Sequence, residues 1–271
     1  MCNAKIIQFF DQSRQLIRSK SKSSQPECLT FHGDVVILTA QAIIIKQEYN
    51  HQMTKIININ SWQRKRQYEF FRQLDYPHFN ICTNLDISKA HRYSKECGIS
   101  LFKTILYVTI KTANDIPEFR FRIREDQVVE HDIIHPSFTV SVENDQFSFC
   151  TVNYDENVEK FFAIVNKGIE RVKQHPSLVD EPGRDDLVYI SCLPWISFTG
   201  IMHPIHMHPV DSVPRIAWGK YIHESDSVKI PYALQAHHAL ADGFHTGKFF
   251  NLFQEMINQP ERLFKTNQSS K

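Results

Sequence analysis

Apolar residues recur at every second position in several separate runs, with helical spacing in the stretches between them. Phe119, Phe121 and Ile123 alternate with Arg120, Arg122 and Arg124. Phe138, Val140 and Val142 alternate in the same way, as do Phe147, Phe149 and Thr151, and Val228, Ile230, Tyr232, Leu234 and Ala236. A period of two sends successive side chains to opposite faces of a strand, so each run reads as β. Glu143-Asn144-Asp145 supplies the turn of a hairpin between the second and third runs. Leu187 to Cys192 reads as a further short strand before Pro194. Pro231 has no N–H, so it is expected where no ladder bond is needed.

The helical period takes over between these runs. Val158, Phe161, Phe162, Val165, Ile169 and Val172 share one face. Helices are also expected from about Ser88 to Cys97 and from Leu101 to Ala113. Asn60-Ser61 offers an N-cap to an earlier helix bearing Trp62, Phe70, Phe71 and Leu74. A closing helix carries Phe249, Phe250, Phe253, Met256 and Ile257 on one side. From Lys55 onward the chain therefore alternates α and β, whereas Arg18 to Pro26 is a polar, basic, linker-like stretch.

With 271 residues, 42% of them hydrophobic, the chain can bury one large core. A net charge of +1 creates no field that would gather nucleic acid or an anionic membrane. Cys2, Cys28, Cys82, Cys97, Cys150 and Cys192 lack CxxC spacing and read as reduced thiols, not as a zinc site or a disulfide framework. No run reaches the roughly 18 apolar residues of a membrane span, and Val35 to Ile45 is too short. The N-terminus lacks the order of a secretory signal, so the expected location is cytoplasmic, with no membrane partner.

The chemistry concentrates after the last strand, in His237-His238-Ala239-Leu240-Ala241-Asp242-Gly243. A histidine near its unperturbed pKa of about 6.5 is a competent general base at neutral pH. Asp242, four residues on, either orients His238 directly or pairs with an arginine elsewhere and braces the loop. His203, His206 and His208 supply metal-ligating side chains, but H-x-x-H-x-H between Pro204 and Pro209 is no standard site, and no metal is expected.

The segment 237–247, His-His-Ala-Leu-Ala-Asp-Gly-Phe-His-Thr-Gly, resembles the active-site segment of chloramphenicol acetyltransferases. Further segments resemble that family in the same order: Ser61-Trp62-Gln63-Arg64-Lys65 with Tyr68-Glu69, Ile116-Pro117-Glu118-Phe119-Arg120, the run from Ile190 to Phe198, and Gly219-Lys220-Tyr221. The HxxxDG core alone is less specific, because dihydrolipoyl acyltransferases and peptide-synthetase condensation domains share it; the further ordered matches point to the narrower family. The resemblance spans about Met53 to the C-terminus and implies an acetyltransferase domain over 53–271 with a two-layer mixed β-sheet and helices. Residues 1–52 form an extension of unassigned role, and Met53, nine residues before Trp62, is a candidate native start.

The resemblance assigns roles residue by residue. His238 is the base and Ser191 the oxyanion donor, while Arg64 and Asp242 pair to support the site. Lys220 and Tyr221 contact acetyl-CoA, the co-substrate; Phe70, Phe71 and His203 line the acceptor pocket; His237 and His245 serve packing or hydrogen bonding. The implied reaction is O-acetylation of chloramphenicol, an antibiotic inactivation, in a ternary complex within a homotrimer whose sites lie between subunits. The acceptor side departs from the pattern: Ala217 stands where members usually have threonine, and His203 where they usually have leucine. Other expectations consistent with these residues are the same chemistry on a different small alcohol or amine, and a catalytically silent trimeric binding protein.

Overall fold

In the computed structural model, which describes residues 54–178 and 183–265, the period-two runs become strands of two sheets. The smaller holds β1 (Thr54–Ile57), β4 (Gln127–His131) and β3 (Phe121–Arg124), antiparallel in that order. The larger has seven strands. Its path runs β2 (His78–Asp86), β10 (Ser227–His237), β8 (Arg215–Gly219), β7 (Leu187–Leu193), β5 (His135–Ser141) and β6 (Phe147–Thr151), with β9 (Ile222–Glu224) paired to β10. Parallel pairing at β5–β7 and β7–β8, with antiparallel pairing elsewhere, makes the sheet mixed.

The helices are α1 (Lys65–Phe71), α2 (Ser88–Cys97), α3 (Leu101–Asn114), α4 (Pro117–Arg120), α5 (Val158–Gln174), α6 (Gly243–Ile257) and α7 (Pro260–Lys265). Local chemistry fixes their ends. Ser100 Oγ accepts from Lys103 N at the start of α3, and Asn157 Oδ1 accepts from Lys160 N at the start of α5; each such cap contributes about 1 kcal/mol. Gly98, at φ 65°, closes α2 in the left-handed region that glycine enters without penalty.

The strand period sorts the sheet into two faces. Phe138, Ile190, Ile216, Trp218, Tyr232 and Leu234 point into the main core, where Phe249, Phe253 and Ile257 of α6 meet them. Burying each such side chain contributes about 1.5–3 kcal/mol. The alternate residues, among them Ser137, Tyr189, Ser191, Arg215, Gln235 and His237, face the other way. The segment 200–213 is tied over that second face, because Asn80 Nδ2 donates to Ile201 O and Gln235 Oε1 accepts from His203 N. Gln235 and His237 are consequently 1% and 2% exposed.

Three expectations need correction. Asn60-Ser61 does not cap the first helix: Asn58 caps a 3₁₀ turn at Ile59–Ser61, Trp62 ends it, and α1 starts only at Lys65. Leu74 lies beyond α1 and is exposed. The alternation at 119–124 is only half strand, since Pro117 at a helix start puts Phe119 in α4, and β3 begins at Phe121. Arg122 of β3 is fully buried and donates to the carbonyls of Asp185, Phe119, Phe121 and Leu187. The linker-like stretch, the apolar run at 35–45 and Met53 lie outside the described residues. The hairpin turn places Asn144 and Asp145 at φ 58° and 55°, a region these residue types enter more readily than most.

Candidate active site

β10 delivers its last two residues to a tight turn. Leu240 N and Ala241 N both donate to His237 O, at 3.0 and 3.1 Å. His238 N donates to Pro77 O at 2.7 Å. Ala239 and Leu240 are buried in a second small core with Tyr68, Phe121 and Val128, so α1 and the smaller sheet buttress the turn from behind. The His238 ring is fixed by stacking on Phe71, with centroids 3.7 Å apart and planes 3° apart, and by a tilted contact with Phe79 at 4.8 Å. Its Nδ1 is enclosed and unpaired. That leaves Nε2 as the ring nitrogen able to meet a substrate proton.

Asp242 does not touch the His238 ring. One carboxylate oxygen accepts from Arg64 Nη1 at 2.7 Å; the other meets Phe244 N at 3.0 Å and His245 Nδ1 at 2.8 Å, capping α6. Burial raises the Asp242 pKa, but the Arg64 bond and charge, with His245 and the Phe244 N–H, outweigh it and bring the carboxyl down to about 2. Arg64 Nη2 also reaches His238 O at 3.5 Å. Asp242 therefore braces the loop through Arg64. His245 Nε2 approaches Glu118 Oε1 at 3.5 Å, which links the turn to α4.

His237 accepts from Ala239 N through Nδ1 and stands edge-on to His78, with centroids 5.1 Å apart. Burial, then the charges of His78 and neighbours, pulls its pKa down to about 3, so it is a neutral structural ring. His78 escaped sequence reasoning. It is 8% exposed, burial first brings its pKa to about 4, and it lines a groove with Tyr76, Phe79 and Met202. No motif marks it; only the β2–β10 register, His78 opposite His237, puts it there.

Ser191 lies elsewhere on the sheet. It lines a cavity of about 420 Å³ with Thr139, Tyr189, His203, Asp211 and Arg215, and its hydroxyl has no hydrogen-bond partner among the described residues. Register gives the separation from His238. Ser191 pairs with Ala217, Ala217 pairs with Ala233, and His238 is five residues past Ala233. At about 3.3 Å per residue and about 4.8 Å per strand, the two side chains stand roughly 19 Å apart within one chain.

Lys220 and Tyr221 follow β8 at the opposite end of β10 from His238, three residues along from the partner of Ser191. Gly219 is required at that turn: a Cβ there would come within 2.7 Å of Ile196 O and 2.8 Å of Pro231 Cγ. Tyr221 packs against the rings of His91 and His223. Phe71 meets His238 directly, whereas Phe70 is 63% exposed beside it. Among the described residues no three His, Cys, Asp or Glu side chains form a metal-binding group, and no helix is long and apolar enough to cross a membrane.

Residues 52–254 match the sequence model of the family described as chloramphenicol acetyltransferase. The chain belongs to the chloramphenicol acetyltransferase family. Chloramphenicol acetyltransferase 2 of Escherichia coli is 30% identical over 205 residues, covering 74% of this chain and 96% of that protein. The Clostridium perfringens chloramphenicol acetyltransferase is 28% identical over 209 residues, covering 76% of this chain and 95% of that protein. A solved chloramphenicol acetyltransferase superposes with a TM-score of 0.67 at 27% identity, covering 76% of this chain and all of that one. A probable dihydrolipoamide acetyltransferase from Listeria monocytogenes shares the fold at a TM-score of 0.55 and 12% identity. Membership in the chloramphenicol acetyltransferase family makes this protein a CoA-dependent O-acetyltransferase.

Proposed function

We propose that the protein transfers the acetyl group of acetyl-CoA to a hydroxyl of chloramphenicol, in a ternary complex built between neighbouring copies of a homotrimer. His238 Nε2 takes the hydroxyl proton as the oxygen attacks the thioester carbonyl. Ser191 Oγ donates to the oxyanion that forms. The carbon–sulfur bond then breaks, and the CoA sulfur takes the proton back from the His238 imidazolium. No serine or cysteine is acylated, because the thioester is already activated. We place this catalysis in residues 53–271.

The observation that carries the reading is the pairing of two incomplete half-sites. A histidine with one open nitrogen sits at one end of β10, and a serine hydroxyl without a hydrogen-bond partner among the described residues lines a cavity roughly 19 Å away. Both must lie within about 3 Å of the reacting atoms. A base from one copy serving the serine cavity of the next meets that requirement, and a single chain does not. Lys220 and Tyr221, a few residues from the Ser191 register, suit the phosphates and adenine of the coenzyme.

The test is thiol release from acetyl-CoA with chloramphenicol and a panel of other small alcohols and amines, for wild type and His238→Ala. The variant is expected to lose about 10²–10⁴-fold in kcat. Turnover of another acceptor alone would transfer the same chemistry to that acceptor. No turnover of anything would leave a silent binding protein.

A further inference from the structure

The ion pair that braces the His238 turn is made at one point only. Arg64 meets Asp242 Oδ2 through Nη1 at 2.7 Å, while its Nη2 turns to His238 O at 3.5 Å. Its Nε is enclosed without a hydrogen-bond partner among the described residues. A guanidinium that engages both oxygens of a carboxylate fixes its plane; one that engages a single oxygen leaves the carboxylate able to swing. Arg64 therefore does not set the direction of the Asp242 side chain.

The Asp242 main chain does not set it either. Its carbonyl accepts from Thr246 N at 3.0 Å and from Thr246 Oγ1 at 3.1 Å, which anchors the start of α6 and leaves the side-chain torsions open. The restraint falls on Oδ1, which accepts from Phe244 N at 3.0 Å and lies 2.8 Å from His245 Nδ1. A carboxylate only accepts, so that approach is a hydrogen bond when Nδ1 carries the hydrogen. Nδ1 also stands 3.3 Å from Asp242 N, in the place a capping box gives to the side chain of the third helical residue. The ring is held from its far side as well: Glu118 Oε1 of α4 is 3.5 Å from Nε2, and the His245 side chain is only 12% exposed. The Phe244 N–H is a backbone group that almost any residue type supplies. The imidazole is the side chain that pins Oδ1 and so turns Oδ2 towards Arg64.

We infer that His245 is a positioning residue for His238: it holds the Asp242 carboxylate with Oδ2 on Arg64, and that contact fixes the turn from which the His238 ring acts. The inference rests on the acetyltransferase reading for its effect on rate, whereas the side-chain geometry tests it apart from turnover. His245→Leu and His245→Asn are close in shape and differ in the donor that asparagine offers near the place of Nδ1. Thiol release from acetyl-CoA with chloramphenicol is followed in steady state on the full chain, with Tm measured alongside.

His245→Leu is expected to lower kcat about 10–100-fold, as a displacement of about 1 Å at a reacting group does, with the KM of each substrate within about twofold of wild type. His245→Asn is expected to recover most of the loss. Asp242→Ser keeps an N-cap hydroxyl and lacks the second oxygen, so adding His245→Leu to it is expected to lower kcat no further. Unchanged kcat in His245→Leu overturns the inference, as does an equal loss in His245→Asn or the full further loss in the Asp242→Ser background. A role in helix stability alone would move Tm and leave the kcat of the folded protein as it was. If His245→Leu does not fold, His245→Gln, which supplies a usual capping-box residue, carries the same expectation and the same refutation. In a crystal structure of either variant, Asp242 Oδ2 is expected to leave hydrogen-bonding distance of Arg64, and its staying there overturns the inference. Absence of thiol release by wild type with every acceptor overturns the acetyltransferase reading, and the crystal structures then still decide the role of His245.

Discussion

Two separately inactive variants, Ser191→Ala and His238→Ala, should regain activity when their subunits are mixed. Each alone should be slow, by about 10²–10³-fold for the oxyanion donor and about 10²–10⁴-fold for the base. The register places the two side chains about 17 Å apart along β10 and about 10 Å apart across two ladders. One chain cannot bring both to a single carbonyl carbon. In the proposed cyclic assembly, each site would draw its histidine from one copy and its serine from the next. An intact site then needs a Ser191→Ala copy supplying His238 and a His238→Ala copy supplying Ser191. With a fraction x of one variant, x(1 − x) of the interfaces are intact, about a quarter at equal mixing for any closed ring. The assay is co-refolding over a series of ratios, followed by thiol release from acetyl-CoA. A parabola peaking near one quarter of wild-type activity is expected. Activity that stays at the weighted mean of the two variants at every ratio refutes the composite site.

Asp242→Asn removes the charge that holds Arg64, whose side chain is 12% exposed against 28% for Asp242. A fully buried broken pair costs about 3–5 kcal/mol; partial exposure here reduces that to about 2–3 kcal/mol, a fall in Tm of about 4–10 °C. The Asp242 carboxyl is held down at about 2 when folded against 3.8 for an unperturbed aspartate, so its contribution is complete above about pH 4 and lost as pH falls towards 2. Wild type and variant should therefore converge in acid melts, and parallel curves down to pH 2 would contradict the assignment. Gly219→Ala must displace Ile196 O or Pro231. It should raise the KM for acetyl-CoA more than that for the acceptor, in steady-state titrations of each substrate.

β5 and β10 kept an alternation whose apolar side enters the core, whereas in β6 the alternating Phe147 and Phe149 line the cavity and Cys150 enters the core. Arg-Ile-Ala-Trp-Gly of β8 is buried at all five positions, so no polar face marks it, and it passed unread. β2, His-Phe-Asn-Ile-Cys-Thr-Asn-Leu-Asp, puts histidine and asparagine where a buried face would lead one to expect apolar residues. Arg122 lies buried in β3 because its donors are satisfied by carbonyls, two of them in a segment more than sixty residues on. At the site, the spacing of His238 and Asp242 was legible, but it left open whether Asp242 orients or braces. Arg64 lies 178 residues from Asp242 in sequence, and spacing carries no trace of such a contact. Phe71 reads as an ordinary apolar helix residue until its ring is found stacked on His238. Gln235 gave no signal at all, since its role comes from what the sheet lays over it.

β10 carries Gln235, which holds the His203 backbone, and three residues later the chain reaches His238, the base of the proposed mechanism. In the proposed ring of copies, the Ser191 cavity beside Gln235 and the His238 turn would serve different reaction centres. A single rigid span of backbone thus acts as a shared wall between adjacent workplaces. Pocket redesign that shifts this strand to suit a new acceptor would also re-aim the base serving the adjoining copy, so changes at Gln235 should be judged by rate as well as by selectivity.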